Sequence, residues 1–128
     1  MPLVTVTVVA PKPPAWKSAV LDAVHRALVA SGVPPTDRFQ RILELPPEDF
    51  RFDPGYPDAA RPRGADFVLV EILLSVGRSV KVKRAILAEL LAGLAAAPGL
   101  DPEHVMVVFK ETQWENWSFA GGRLLHVG

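Results

Sequence analysis

The stretch DFVLVEILL, residues 66–74, is apolar at all but two of its positions. An apolar run of this length predicts a β-strand that is buried on both faces. Apolar residues at helical spacing follow from about residue 79 to 97 and predict a helix, and HVMVVFKE (104–111) predicts another strand. Strand, helix and strand in this order favour two parallel strands joined by a right-handed crossover.

The first part of the chain repeats this arrangement 66 residues earlier. Residues 2–9 alternate and are rich in Val and Thr, residues 14–31 carry an apolar helical stripe, and RFQRILEL (38–45) is typical of a strand. A constant offset without a gap indicates a duplicated β-α-β unit. We therefore predict an α+β fold of two tandem β-α-β units, residues 2–45 and 66–111, with a four-stranded sheet and both helices on one face.

The 128 residues are expected to form one domain, 1–128, with a loop (46–65) between the units and an aromatic tail (112–128). Phe50, Phe52 and Tyr56 indicate that the loop packs against the domain. RLLHV (123–127) suggests a short additional strand. The sheet face opposite the helices is also apolar, and because nothing in the chain is left to cover it, we expect an oligomer.

The composition limits the classes of function. Fourteen basic residues balance fourteen acidic ones, so no global field draws the protein to nucleic acid or to a membrane, and the absence of cysteine excludes disulfides and thiolate chemistry. No secretory signal or membrane-spanning run is visible, so we expect a cytoplasmic protein. His25 lies beside the apolar stripe of the first helix and is expected at the surface or at the edge of that stripe. His104 and His126 lack metal-ligand spacing, so no metal site is indicated.

The triplet GRS at 77–79 lies between the third strand and the second helix. Gly77 and Ser79 fit an ordinary turn and a helix N-cap. Arg78 is less easily explained, because with Lys81, Lys83 and Arg84 it places four cations where the helix dipole disfavours them. A helix N-terminus with an added arginine is, however, well suited to bind a carboxylate. The pattern favours an anionic ligand.

Pro2 stands at the start of the first strand. If the two units pair about a pseudo-twofold axis, the first and third strands are antiparallel and Pro2 lies near Arg78. After removal of Met1, the Pro2 nitrogen is a terminal amine with an ordinary pKa of about 7.7–8.0, which a nearby cation and desolvation both lower. When neutral, it can act as a general base or as a nucleophile towards carbonyls; when charged, it can act as a general acid.

These residues resemble a known family. The Pro2 start, DRFQ (37–40), GRS (77–79) and NWSFAGG (116–122), set in two β-α-β units, resemble the tautomerase superfamily and within it the malonate semialdehyde decarboxylase branch. The resemblance implies a homotrimer that uses no cofactor and acts on small oxo or unsaturated carboxylic acids. It also implies that Pro2 is catalytic, that Arg78 binds the substrate carboxylate, and that Asp37 positions or activates a water or polarises the substrate. The aromatic residues that it places around the pocket are Trp114, Trp117 and Phe119.

Several alternatives stay open from the residues alone. Some decarboxylases of this branch carry a second arginine beside the GR pair, whereas Ser75 and Val80 flank it here. An aspartate after Pro-Pro-Thr also suits a strand-entry cap, and Glu103 occupies the equivalent position of the second unit. We expect a tautomerase or isomerase, or a decarboxylase-like lyase that also hydrates. The alternatives are a non-catalytic oligomeric carboxylate-binding module with this fold and a ferredoxin-like interaction domain.

Overall fold

A computed structural model describes residues 2–124 as a four-stranded sheet with two α-helices. The elements in chain order are β1 (Leu3–Val9), α1 (Pro14–Ala30), β2 (Gln40–Leu45), β3 (Val68–Ser75), α2 (Val80–Ala96) and β4 (Val105–Thr112). All six match the sequence predictions to within two residues at each end. The strand expected at 123–127 falls mostly outside the described residues, and residues 123–124 have no regular structure.

The sheet order β2-β1-β3-β4 confirms the two tandem units. β1 pairs with β2 in parallel, β3 pairs with β4 in parallel, and the two units meet through the antiparallel pair β1–β3. The helices reproduce the repeat, because their first residues, 14 and 80, and their last, 30 and 96, both differ by 66.

The core lies between the helices and one face of the sheet. Alternate residues of the two central strands are fully buried there, among them Val6 and Val70, which are paired across β1 and β3. Ile86, Leu90 and Leu94 of α2 pack against the same cluster. The buried alternate residues of the strands and the apolar stripes of the helices therefore face each other on one side of the sheet, as the sequence predicted.

The opposite face of the sheet is open in the single chain. It presents apolar side chains, with Leu43 44% and Met106 48% exposed. It also carries polar groups: Lys110 Nζ pairs with Glu71 at 2.6 Å, and Arg41 Nε donates to Thr5 Oγ1 at 3.0 Å. Within residues 2–124, neither helix has the length and apolar character needed to cross a membrane.

The long loop between the units packs on the domain, as predicted, through its phenylalanines. The rings of Phe50 and Phe52 lie 5.5 and 4.3 Å from the ring of Phe67, just before β3. Tyr56 does not share this packing, because its side chain is 75% exposed. Arg61 makes two hydrogen bonds to Asp101 at 2.5 and 2.7 Å, which fix the far part of the loop.

Candidate functional site

One edge of the sheet collects the residues that the sequence singled out. β1 and β2 both start there, and β3 and β4, which run in the opposite direction, both end there. Pro2 precedes β1, Asp37 precedes β2, Arg78 follows β3, and the aromatic tail follows β4. The predicted proximity of Pro2 to the end of the third strand is therefore confirmed by the topology.

Pro2 is buried between the two neighbouring strands. The antiparallel register pairs Leu3 with Leu73, so one further step places Pro2 opposite Leu74. On the other side, the amide of Val4 donates to the carbonyl of Phe39 at 2.9 Å. Pro2, the residue just before the central strand β1, thus lies between the loop that carries Asp37 and the strand end that leads to Arg78.

Asp37 is half-buried in the turn that enters β2. Its amide donates to the carbonyl of Pro34 at 3.0 Å, which closes the turn. The imidazole Nε2 of His25 lies 2.8 Å from the carbonyl oxygen of Pro35 in the same loop, and His25 is only 9% exposed. Of the two expected positions, surface or edge of the apolar stripe, the surface one is wrong, because the ring is buried where it ties α1 to the loop. Glu103, the equivalent of Asp37, accepts from the amide of Ala60 and has a structural contact.

The GRS triplet forms the turn and the helix cap that its residues predicted. Arg78 is needed for neither of them. Gly77 has a φ of 118°, which favours glycine, and the Ser79 hydroxyl accepts from the amide of Val82 at 3.2 Å as the N-cap of α2. Arg78 is half-buried, and its Nη1 donates to the carbonyl of Ser75 at 3.4 Å. Its other guanidinium N–H groups make no hydrogen bond to the residues between 2 and 124 and can donate to a ligand.

Arg78 lines an open cleft of about 570 Å³ at this edge. The lining residues are Ser31, Val76, Gly77, Arg78, Ser79, Val82 and Trp114, of which Arg78 alone carries a charge. The other cations of the cluster lie elsewhere: Lys83 Nζ pairs with Glu111 at 2.5 Å, and Lys81 and Arg84 are exposed. The cleft therefore combines one guanidinium with apolar walls.

The aromatic tail spans the edge that holds Pro2. Trp114 shares the cleft with Arg78, whereas Trp117 and Phe119 stack on each other with centroids 5.6 Å apart. Phe119 also packs on Phe39 before β2, at 5.4 Å. Since the tail leaves β4 on one side of the sheet and reaches β2 on the other, it passes over the start of β1.

Among the residues that the structure describes, two side chains at this edge have buried polar atoms without a hydrogen-bond partner: the Ser75 hydroxyl and the Trp117 Nε1. The sequence singled out Trp117 but treated Ser75 only as a neighbour of the GR pair. The sequence did offer one indication of Ser75, because it is a serine at the end of a mostly apolar strand. The catalytic and binding roles of Pro2, Asp37, Arg78 and the tail stay predictions.

Comparison with known proteins gives the family. A model of the tautomerase enzyme family matches residues 37–120. Probable tautomerase YusQ of Bacillus subtilis (strain 168) is 24% identical over 124 residues, which is 96% of each chain. The structure of malonate semialdehyde decarboxylase superposes with a TM-score of 0.86 at 28% identity, covering 94% of this chain and 92% of that one. The structure of a fused 4-OT wild-type symmetric trimer superposes with a TM-score of 0.77 at 28% identity, covering 95% of this chain and 94% of that one.

Proposed function

The chain belongs to the tautomerase enzyme family, and from this premise we propose that it is a cofactor-free enzyme using the Pro2 nitrogen. Its substrate is a small oxo or unsaturated carboxylic acid. The observation that carries the proposal is the β1–β3 register, which sets Pro2 beside the strand end that continues into Arg78. The proposal requires removal of Met1, which a small second residue such as proline permits.

The cleft supports binding of a single carboxylate. Arg78 offers a planar fork of donors, and the N-terminus of α2 adds favourable backbone dipoles. Val76, Val82 and Trp114 supply apolar walls for the short carbon chain behind the carboxylate. Because Arg78 is the one charged residue among those that line the cleft, we expect a ligand with one carboxylate at this position and no second anionic group.

The surroundings of Pro2 favour a neutral amine. Pro2 is buried, and burial penalises the charged form of an amine, as does a nearby cation such as Arg78. A neutral secondary amine can remove a proton from carbon or attack a carbonyl.

In tautomerisation, the Pro2 nitrogen removes a proton from the carbon next to the carbonyl of the keto acid, and the electron pair forms the enol or enolate. The ammonium then returns the proton to oxygen or to another carbon, which regenerates the amine. Arg78 holds the carboxylate during both transfers. The similarity to a probable tautomerase supports this reaction.

In decarboxylation, the amine attacks the carbonyl carbon of a β-oxo acid, and loss of water gives an iminium. The bond to the carboxylate then breaks, carbon dioxide leaves, and the electron pair moves into the iminium to form an enamine. Protonation at carbon and hydrolysis release the aldehyde or ketone and the free amine. The TM-score of 0.86 with malonate semialdehyde decarboxylase supports this reaction, which hydration can accompany in the same site.

The assembly that we propose is a homotrimer. The open sheet face carries apolar side chains such as Leu43 and Met106, which an isolated chain leaves in water. A similar solved structure, the fused 4-OT protein, is a symmetric trimer. Native mass spectrometry gives the subunit number directly, and a monomer would remove this part of the proposal.

The experiment that tests the function is trapping of the amine. The purified protein is incubated with a small β-oxo acid and borohydride, and the intact mass is compared with an untreated sample. We expect a mass that lacks Met1 and one reduced adduct that maps to Pro2. Loss of Met1 without an adduct supports acid–base tautomerisation if turnover of an oxo acid is measurable. Retention of Met1, or the same turnover in Pro2→Ala as in the wild type, contradicts the proposal.

A further inference from the structure

Ser75 is a fully buried serine at the last position of β3, and within residues 2–124 its hydroxyl has no hydrogen-bond partner. A hydroxyl left in this state costs about 1–3 kcal/mol, so it calls for an explanation such as a partner that binds in the working state. The position of Ser75 in the sheet indicates what that partner is.

The strand register places Ser75 one residue beyond the partner of Pro2, in the direction of the Pro2 nitrogen. Leu73 pairs with Leu3, and Pro2 therefore faces Leu74 when the ladder is extended by one residue. Ser75 is the next residue of β3, beyond the partner of Pro2. On its other side Ser75 pairs with Thr112 of β4, whose hydroxyl already accepts from Asn116 Nδ2 at 2.7 Å. The remaining neighbour of Ser75 along the sheet is the start of β1.

The backbone of the same residue contacts Arg78. The carbonyl of Ser75 accepts from Arg78 Nη1 at 3.4 Å, so one residue touches the carboxylate-binding side chain. The same residue stands beside the start of β1 in the register. A residue in this position can hold the Pro2 nitrogen and Arg78 at a fixed separation.

We propose that Ser75 is a positioning residue whose hydroxyl hydrogen-bonds the Pro2 nitrogen after Met1 is removed and holds it beside Arg78. This inference rests on the proposed function for its purpose, but the contact itself can be measured without any substrate. A hydroxyl both donates to a neutral amine and accepts from an ammonium. The bond to the charged form is the stronger, because a hydrogen bond to an ionised group exceeds one between neutral groups.

The charged groups around this end of the sheet stay the same in a serine variant. They are Asp37 and Arg38 before β2, Arg78 after β3, Glu111 at the end of β4 and Glu115 in the tail. Arg38 is paired with Asp22 at 2.6 Å and Glu111 with Lys83. A change in the titration of Pro2 in Ser75→Ala can therefore be assigned to the missing hydroxyl.

The test is a titration of Pro2 by ¹⁵N NMR in protein labelled at proline, from which Met1 has been removed as verified by mass. Among the prolines, only the N-terminal one has an ionisable nitrogen. We expect Ser75→Ala to lower the pKa of the Pro2 amine by about 1, the size of one hydrogen bond to a charged group. Ser75→Thr keeps the hydroxyl and should restore the wild-type pKa.

The matched control is Thr7→Val, which removes another buried hydroxyl from the same sheet and should leave the titration of Pro2 unchanged. An unchanged Pro2 pKa in Ser75→Ala, or an equal change in the control, overturns the inference. If Ser75→Ala does not fold, Ser75→Cys keeps the volume with a weaker hydrogen bond and gives the same comparison. A shifted Pro2 titration without trapping or turnover would support the Ser75 contact and contradict the proposed function. Trapping of Pro2 together with an unchanged pKa in Ser75→Ala would support the proposed function and contradict the Ser75 contact.

Discussion

The ring of Phe119 packs against the ring of Phe39, with centroids 5.4 Å apart. Phe39 lies immediately before β2 and Phe119 in the tail after β4, which are the two outer strands of the sheet. Phe119 also stacks on Trp117 at an interplanar angle of 5°. One ring that contacts two others therefore anchors the tail on the far side of the candidate site.

Replacing Phe119 by Ala should loosen the tail more than replacing Phe39. Phe119→Ala removes both ring contacts, whereas Phe39→Ala removes one, and each aromatic pair contributes about 0.5–1.5 kcal/mol. We expect amide hydrogen exchange over residues 113–120 to rise about tenfold in Phe119→Ala and less in Phe39→Ala. Tyr56→Ala, which removes an exposed aromatic ring elsewhere, is the control. Equal exchange in all three variants would show that these rings do not hold the tail.

Arg78→Ala should weaken binding of a small oxo acid about 10- to 100-fold, since hydrogen bonds to a charged group are lost. Arg78→Lys keeps the charge but loses the planar fork, so we expect an intermediate loss. Arg84→Ala is the matched control, because Arg84 is an exposed cation of α2, the helix that follows Arg78, and does not line the cleft. The readout is the dissociation constant by calorimetry, or KM where turnover is measured. An equal loss of binding in Arg84→Ala would mean that the general positive field attracts the oxo acid and that Arg78 makes no specific contact with it.

The architecture could be predicted because burial imposes a period on the sequence. Val4, Val6 and Val8 alternate with less buried residues. The 66-residue repeat then predicted that the second unit has the same order of strand, helix and strand as the first. Family resemblance and this topology together predicted which residues meet at one edge. The topological part of that step needs parallel strands within each unit and an antiparallel junction between the units, and from the sequence alone that junction is a condition.

Other features depend on contacts that no local pattern encodes. His25 is buried because the loop after α1 returns a carbonyl to its ring. Tyr56 is exposed because Asp53 accepts from the amides of Gly55 and Tyr56, and this turn fixes the backbone with the ring outside. Whether the hydroxyl of Ser75 has a partner likewise depends on strands that are distant in sequence.

The imidazole of His25 should stabilise the loop that carries Asp37. His25→Ala leaves the Pro35 carbonyl without its partner and opens a small cavity, so we expect a loss of about 1–3 kcal/mol in the free energy of unfolding. Urea denaturation measures this loss. His25→Gln can still donate and should recover part of it, and His104→Ala serves as a control on a histidine outside the core. A smaller loss in His25→Ala than in His104→Ala would contradict the structural role of the ring.

The ion pair between Arg61 and Asp101 should make stability depend on pH in the acid range. Hydrogen bonds from the Arg61 side chain, and next from the amide of Glu103, hold the pKa of Asp101 well below its ordinary value of 3.8. A lowered pKa in the folded state means that the contribution of Asp101 is complete above its ordinary pKa and is lost as the pH falls below it. Melting temperatures should therefore be lower in Asp101→Asn than in the wild type at pH 7, with the difference shrinking below about pH 4.

Arg61→Ala should also lower the melting temperature relative to the wild type at pH 7, with a difference that shrinks at acid pH. Combining it with Asp101→Asn should lower the melting temperature little further, because both changes remove the same ion pair. Asp58→Asn is the matched control, since Asp58 is an exposed acid of the same loop. A difference between Asp101→Asn and the wild type that persists undiminished at pH 3 would mean that the carboxylate charge is not what fixes the loop to the connection before β4.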